Sequence, residues 1–129
     1  MALIVLDASV VIALLDPADA LHAAAKREFD RVAGDDLALP ASALAETLVA
    51  PARVGRVAAV RGQLNALEIR IVEGGEEVAV VAAEMRARHK GLRLPDALVL
   101  ATAELLEAEL LLTGDASWKG LSGKVRIVT

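Results

Sequence analysis

A chain of 129 residues, 56% of them hydrophobic, is long enough to bury roughly two thirds of the surface its unfolded form exposes, so a real core is within reach. No uninterrupted apolar run approaches the roughly 18 residues of a membrane helix, and the N-terminal run meets Asp7 without a basic leader, so a soluble, unprocessed protein with no membrane partner is expected. Cysteine and tyrosine are absent, Phe and Trp occur once each, and the net charge is −4; disulfides, thiolate ligands and thiol nucleophiles are excluded, a reducing cytoplasm is suited, and both generic coating of nucleic acid and base recognition by stacked aromatics are disfavoured.

In chain order, residues 2–6 (ALIVL) form a short continuous apolar run, the mark of a strand covered on both faces in a parallel sheet. Leu21, Ala24, Ala25, Phe29 and Val32 then repeat at helical spacing, with Gly34 placed to stop the helix. A second short run, Leu37 to Leu39, leads into PASALAETLVA, a helix on which Ser42 and Ala50 share a face with Glu46. A third run spans Ile69 to Val72. Val78, Val81, Ala82 and Met85 repeat as a helix that Gly91 ends, and residues 97–106 (ALVLATAELL) are apolar nearly all round, as in a central buried helix. Further runs occupy Leu110 to Thr113 and Val125 to Val128. Without repeats or a linker, residues 1–129 are expected to form a single three-layer α/β/α sandwich around a mainly parallel five-stranded sheet with right-handed crossovers.

Ligands of such folds bind outside the carboxyl ends of the strands. Four acids fall there: Asp7 after the first strand, Glu46 in the helix after the second, Asp96 behind Pro95 at the head of the apolar helix, and Asp115 after the fourth strand in LLLTGDASW. Taken singly, each has a structural explanation: Asp7 and Ser9 as turn and cap residues, Glu46 as a solvated helix residue, Asp96 as a first-turn acid favoured by the helix dipole, Asp115 as an Asx-turn. The set is what points to function. The middle of the chain adds a countervailing charge: residues 53–93 carry 8 basic and 5 acidic side chains, against 3 and 8 before them and 3 and 5 after. Arg53, Arg56, Arg86, Arg88, Lys90 and Arg93 are therefore candidates for a cationic rim, or else for solvated helix faces.

Asp7 with Ser9 after an apolar strand, Glu46 in LPASALAETL, Asp96 in LRLPDALVLATA, and Thr113 with Asp115 ahead of Trp118 resemble the PIN-domain nucleases. In size and motif spacing they resemble the VapC-type toxins of toxin-antitoxin pairs. The resemblance spans Ala2 to Val128. It implies a metal-dependent endoribonuclease neutralised by a cognate antitoxin, with Asp7, Glu46, Asp96 and Asp115 in the family's acidic positions and Ser9 and Thr113 as supporting polar groups.

The chemistry agrees. Two carboxylates about 4 Å apart repel by about 4 kcal/mol at an effective dielectric of 20, so converging acids must protonate or hold a cation. An all-oxygen donor set suits Mg²⁺, with Mn²⁺ as the other candidate. Asp7 and Asp96 are the expected direct ligands, and Glu46 and Asp115 would act through water. The apolar surface of helices such as VVIALL and ALAETLVAPARV suits a homodimer or a clamped partner helix. His22 and His89 sit in no triad or metal pattern, and there is no P-loop. The alternative is a non-catalytic protein- or RNA-interaction module on the same fold.

Overall fold

The computed structural model describes residues Met1–Thr129. The chain runs β1 (Leu3–Leu6), α1 (Ala8–Leu15), α2 (His22–Arg31), β2 (Asp36–Pro40), α3 (Ala41–Arg53), α4 (Val57–Ala66), β3 (Ile69–Val72), α5 (Glu76–Arg88), α6 (Leu94–Leu105), β4 (Leu110–Thr113), a 3-10 turn at Ala116–Trp118, and β5 (Val125–Ile127). Each expected strand is present within a residue or two, and the sheet is parallel throughout, in the order β3-β2-β1-β4-β5.

That order has a consequence for the site. From β1 the chain steps outward through β2 to β3, then returns to lay β4 on the other side of β1. Right-handed crossovers place α1 to α4 on one face and α5 with α6 on the other, giving the α/β/α sandwich. The reversal falls between β1 and β4, and the crevice at a topological switch point is where such sheets bind ligands. The register pairs Leu6 with Leu112. One residue further along each strand stand Asp7 and Thr113.

Burial follows from the double cover. Ile4, Val5, Leu6, Leu111 and Leu112 are no more than 1% exposed, and they belong to one core cluster of 30 residues. Alanines at the helix contacts, including Ala8, Ala25, Ala43, Ala82 and Ala101, are all but sealed and let helices lie close on the sheet. The apolar helix α6 is the central one anticipated, with Ala97, Val99, Leu100 and Ala101 in the core. A separate α4 was not legible, although Val60 and Leu64 anchor it; Pro51, which lacks an N–H, lies in the last turn of α3, and Gly55 at φ +70 breaks the path between the two helices. His22, half-buried, bonds the Ala13 carbonyl through Nδ1 at 2.7 Å, joining α2 to the end of α1. Glu28 of α2 pairs with Arg126 of β5 at 3.3 Å. No helix is long and apolar enough to cross a membrane.

Two non-glycine residues take the left-handed conformation, Glu68 (φ 57) and Glu107 (φ 53). Glu107 lies where α6 gives way to β4, and the Ala108 N–H reaches back to the Ala103 carbonyl at 3.0 Å, a helix ending that glycine favours. Glu107→Gly is therefore expected to relieve strain by about 1 kcal/mol net of the added freedom of the unfolded chain, which at this length raises the melting temperature by about 4 °C. Thermal denaturation checks it, and a lowered melting temperature would mean that the Glu107 side chain contributes more than its backbone costs.

Candidate active site

The strand that seemed interrupted by a charge in fact positions it. The Asp7 N–H donates to the Leu112 carbonyl at 2.9 Å, so the β1–β4 ladder continues past the end of β1 and fixes the backbone there. Asp7 is the N-cap of α1 by backbone geometry, yet its side chain caps nothing. Oδ2 instead accepts from the Ser9 hydroxyl at 2.7 Å and the Thr113 hydroxyl at 2.9 Å. Each of those oxygens accepts in turn from a backbone N–H, Ser9 Oγ from Gly114 at 2.9 Å and Thr113 Oγ1 from Asp115 at 3.1 Å. A hydroxyl has one hydrogen to give. With both oxygens receiving N–H groups, both hydrogens are committed to Asp7, an arrangement built for a carboxylate.

Asp7 is only 7% exposed. Burial pushes its carboxyl above the usual carboxylate range, the hydroxyls of Ser9 and Thr113 pull it back, and the negative charge of Asp96 raises it further. Glu46, half-buried on α3, is also raised, first by burial and then by the charges of Asp7 and Asp96, with Arg93 opposing. Its neighbour Thr47 turns into the core and bonds the Ala43 carbonyl at 2.8 Å, leaving Glu46 at the margin. Asp96 follows Pro95 in the first turn of α6, and its Oδ2 receives the Arg93 Nε at 3.5 Å. Three of the four expected acids therefore share one electrostatic environment, in which Asp96 opposes the ionisation of Asp7 and of Glu46, and Asp7 that of Glu46.

Asp115 stands at the same sheet edge but behaves otherwise. Its Oδ1 accepts from the Ser117 N–H at 2.9 Å and the Ser117 hydroxyl at 2.6 Å, capping the 3-10 turn. These Ser117 bonds hold its carboxyl below the usual range despite some desolvation, and Arg93 adds to the lowering. The structural role proposed for an isolated Asp115 is thus present, whatever further part it takes. Trp118, next along, is sealed in the core, and its indole N–H is without a partner.

The six candidate cations divide. Arg53, Arg56, Arg88 and Lys90 are exposed, and Arg56 lines a 470 Å³ groove that also contains Glu46. Arg86 spends its Nε on the Leu92 carbonyl at 2.9 Å, tying α5 to the loop that precedes α6. Only Arg93 among them enters an ion pair. Its membership of the acid cluster was not recognised in the sequence, although its position three residues before Asp96 across a helix start was the available clue.

No three acidic or histidine side chains converge tightly enough to enclose a metal ion by themselves. The donor set still fits Mg²⁺ or Mn²⁺, because Mg²⁺ takes one or two carboxylates, retains waters and completes its shell from substrate phosphates. The mutual repulsion of Asp7, Glu46 and Asp96 is the charge that a divalent ion would neutralise.

Residues 4–124 match the PIN domain family. No curated protein matches the chain. Solved structures of similar fold include a toxin-antitoxin complex from Klebsiella pneumoniae, 22% identical with a TM-score of 0.81 over 97% of each chain. Another is VapC20 of Mycobacterium tuberculosis, a sarcin-ricin loop cleaving toxin, 22% identical with a TM-score of 0.73 over 91% of this chain and 95% of that one. A third is VapBC2 of Rickettsia felis, bound to a DNA fragment from their promoter, 15% identical with a TM-score of 0.76 over 98% and 99%. At these identities the likeness is one of fold.

The Asp7 environment sets a stability-versus-pH expectation. A carboxyl raised in the folded state costs nothing below its unfolded pKa, and stability falls as pH rises from there through the folded value. In chelator at pH 7, Asp7→Asn should melt above wild type, with the gap closing as pH falls toward the ordinary carboxyl value of about 3.9. Melting curves across that range decide; a variant that melts below wild type at every pH would show that the hydroxyl bonds outweigh desolvation.

Proposed function

The chain belongs to the PIN domain family, and from that premise we propose that it is a metal-dependent endoribonuclease, the toxin of a toxin-antitoxin pair acting in the cytoplasm. The reading is carried by one observation, the meeting at the topological switch point of Asp7 and Glu46, both raised by burial and by the negative charge of Asp96 beside them. It is supported by structural neighbours that include a toxin-antitoxin complex and a toxin that cleaves the sarcin-ricin loop, which makes structured RNA the substrate class to test.

In this reading Asp7 and Asp96 hold Mg²⁺ or Mn²⁺ directly, and Glu46 and Asp115 orient water beside it. The ion, when bound, lowers the pKa of a water and neutralises charge developing on the phosphodiester. The rest is done by the chain. Ser9 and Thr113 grip one oxygen of Asp7, leaving the other free and rigidly aimed. Glu46, with its affinity for protons raised, is suited to accept one from the attacking water. Arg53, Arg56, Arg88 and Lys90 supply backbone attraction that offsets the anionic site.

Protein partners are supported by apolar side chains left in solvent. Ile12 and Val54 flank the groove that runs to Glu46, and Val80 and Leu105 lie together on α5 and α6. Two contacts follow, one with a cognate antitoxin and one with a second copy of the chain.

The test is cleavage of a panel of structured RNAs in Mg²⁺, in Mn²⁺ and in chelator. Cutting should require the metal and fall at least about a hundredfold in Asp7→Asn and in Asp96→Asn, since changing residues that only support metal ligands already costs about 10- to 100-fold. Ser9→Ala and Thr113→Val should fall within that smaller range. Unchanged cutting in either aspartate variant overturns the assignment, and an inert wild type favours the interaction-module reading.

A further inference from the structure

Arg93 is built differently from the rest of the cationic rim. Its root is fixed: it is the N-cap of α6 with extended backbone, its carbonyl accepts the Ala97 N–H at 3.0 Å, and the preceding carbonyl is held by Arg86 at 2.9 Å. Its tip is loose. The guanidinium touches Asp96 through Nε alone at 3.5 Å, the side chain is 70% exposed against 15% for Asp96, and neither terminal nitrogen donates to the protein. A rigid base with a free planar fork, set over a cluster of acids, is neither a structural salt bridge nor a freely solvated arginine.

We propose that Arg93 is a substrate-phosphate contact that doubles as the resident counter-charge of the acid cluster, pairing with Asp96 until a divalent ion takes that carboxylate and then turning its fork to the RNA phosphate. The proposal rests on the nuclease reading and assigns this residue a part in it. An exposed single-point ion pair is weak and easily exchanged, whereas a divalent cation brings twice the charge to the same oxygen. Once displaced, guanidinium matches phosphate oxygens in a bidentate geometry that a lysine cannot reproduce. The positive charge of Arg93 also reaches Glu46 and Asp115, so it spans the site from α3 to the 3-10 turn.

Two readouts with opposite signs separate this role from a structural one. By calorimetric titration of the full chain with Mn²⁺ and no RNA, Arg93→Ala should bind the ion severalfold more tightly than wild type, because a competing charge has gone. In RNA cleavage the same variant should lose at least about tenfold in kcat/KM, the size of one charged hydrogen bond. Arg93→Lys should keep wild-type Mn²⁺ affinity and recover only part of the cleavage. Arg88→Ala, which removes a rim charge of the same sign, should leave Mn²⁺ affinity unchanged. Arg93→Gln repeats the measurement if the alanine variant melts early. Mn²⁺ affinity unchanged or weakened in Arg93→Ala, or cleavage unchanged, overturns the proposal. A wild type that neither binds Mn²⁺ nor cuts overturns the nuclease reading beneath it, whereas a wild type that does both beside an indifferent Arg93→Ala sinks this inference alone.

Discussion

Everything at the site depends on keeping one carboxylate charged in a place where charge is costly. Asp7 lies at the end of the central strand, almost out of reach of solvent, and its main compensation is a pair of hydroxyls on one oxygen. Those hydroxyls come from α1 and β4, and backbone N–H groups beyond β4 determine which way they point. The carboxylate thus fastens three elements together, and the same bonds that hold it leave its second oxygen unpartnered. The two hydroxyls favour the ionised form and offset part of the pull of burial, which still leaves the carboxyl raised.

Charge accumulates from there. Glu46 becomes harder to ionise, first by its own burial and then through the charges of Asp7 and Asp96. The chain answers with Arg93, whose guanidinium offsets the cluster without sealing it. Asp115 sits close in the fold but outside this balance, because its carboxylate is occupied by Ser117 and held in its charged form by those bonds. The four acids are therefore not equivalent: three compete for compensation, and the fourth is already satisfied locally.

Much of the frame was legible in the sequence. Strands covered on both faces appear as unbroken apolar runs, so ALIVL and LLLT announced themselves, and an α6 apolar nearly all round announced its central place. Gly34 and Gly91 marked helix ends because each takes a positive φ that other residues resist. The break between α3 and α4 was not legible, since Pro51 near a helix end is compatible with either a continued or an interrupted helix until packing decides. Arg86 and Arg93 read alike as members of a basic stretch. One is held by a carbonyl six residues on and the other leans on an acid three residues on through a single nitrogen, and charge counting carries no direction.

The residues by themselves determined which side chains end each strand, because the period of apolar residues and the residue that interrupts it are local properties of the chain. That is why Asp7, Thr113 and Asp115 were found at strand ends, with Asp96 at a helix head. The tertiary structure alone decided that β4 lies beside β1, that Leu6 aligns with Leu112, and hence that a threonine 106 residues away in sequence grips Asp7. Electrostatic coupling falls off with distance in space and is blind to distance along the chain. Which acids repel, which one is satisfied, and which cation answers them were therefore questions that only the folded arrangement of strands resolved.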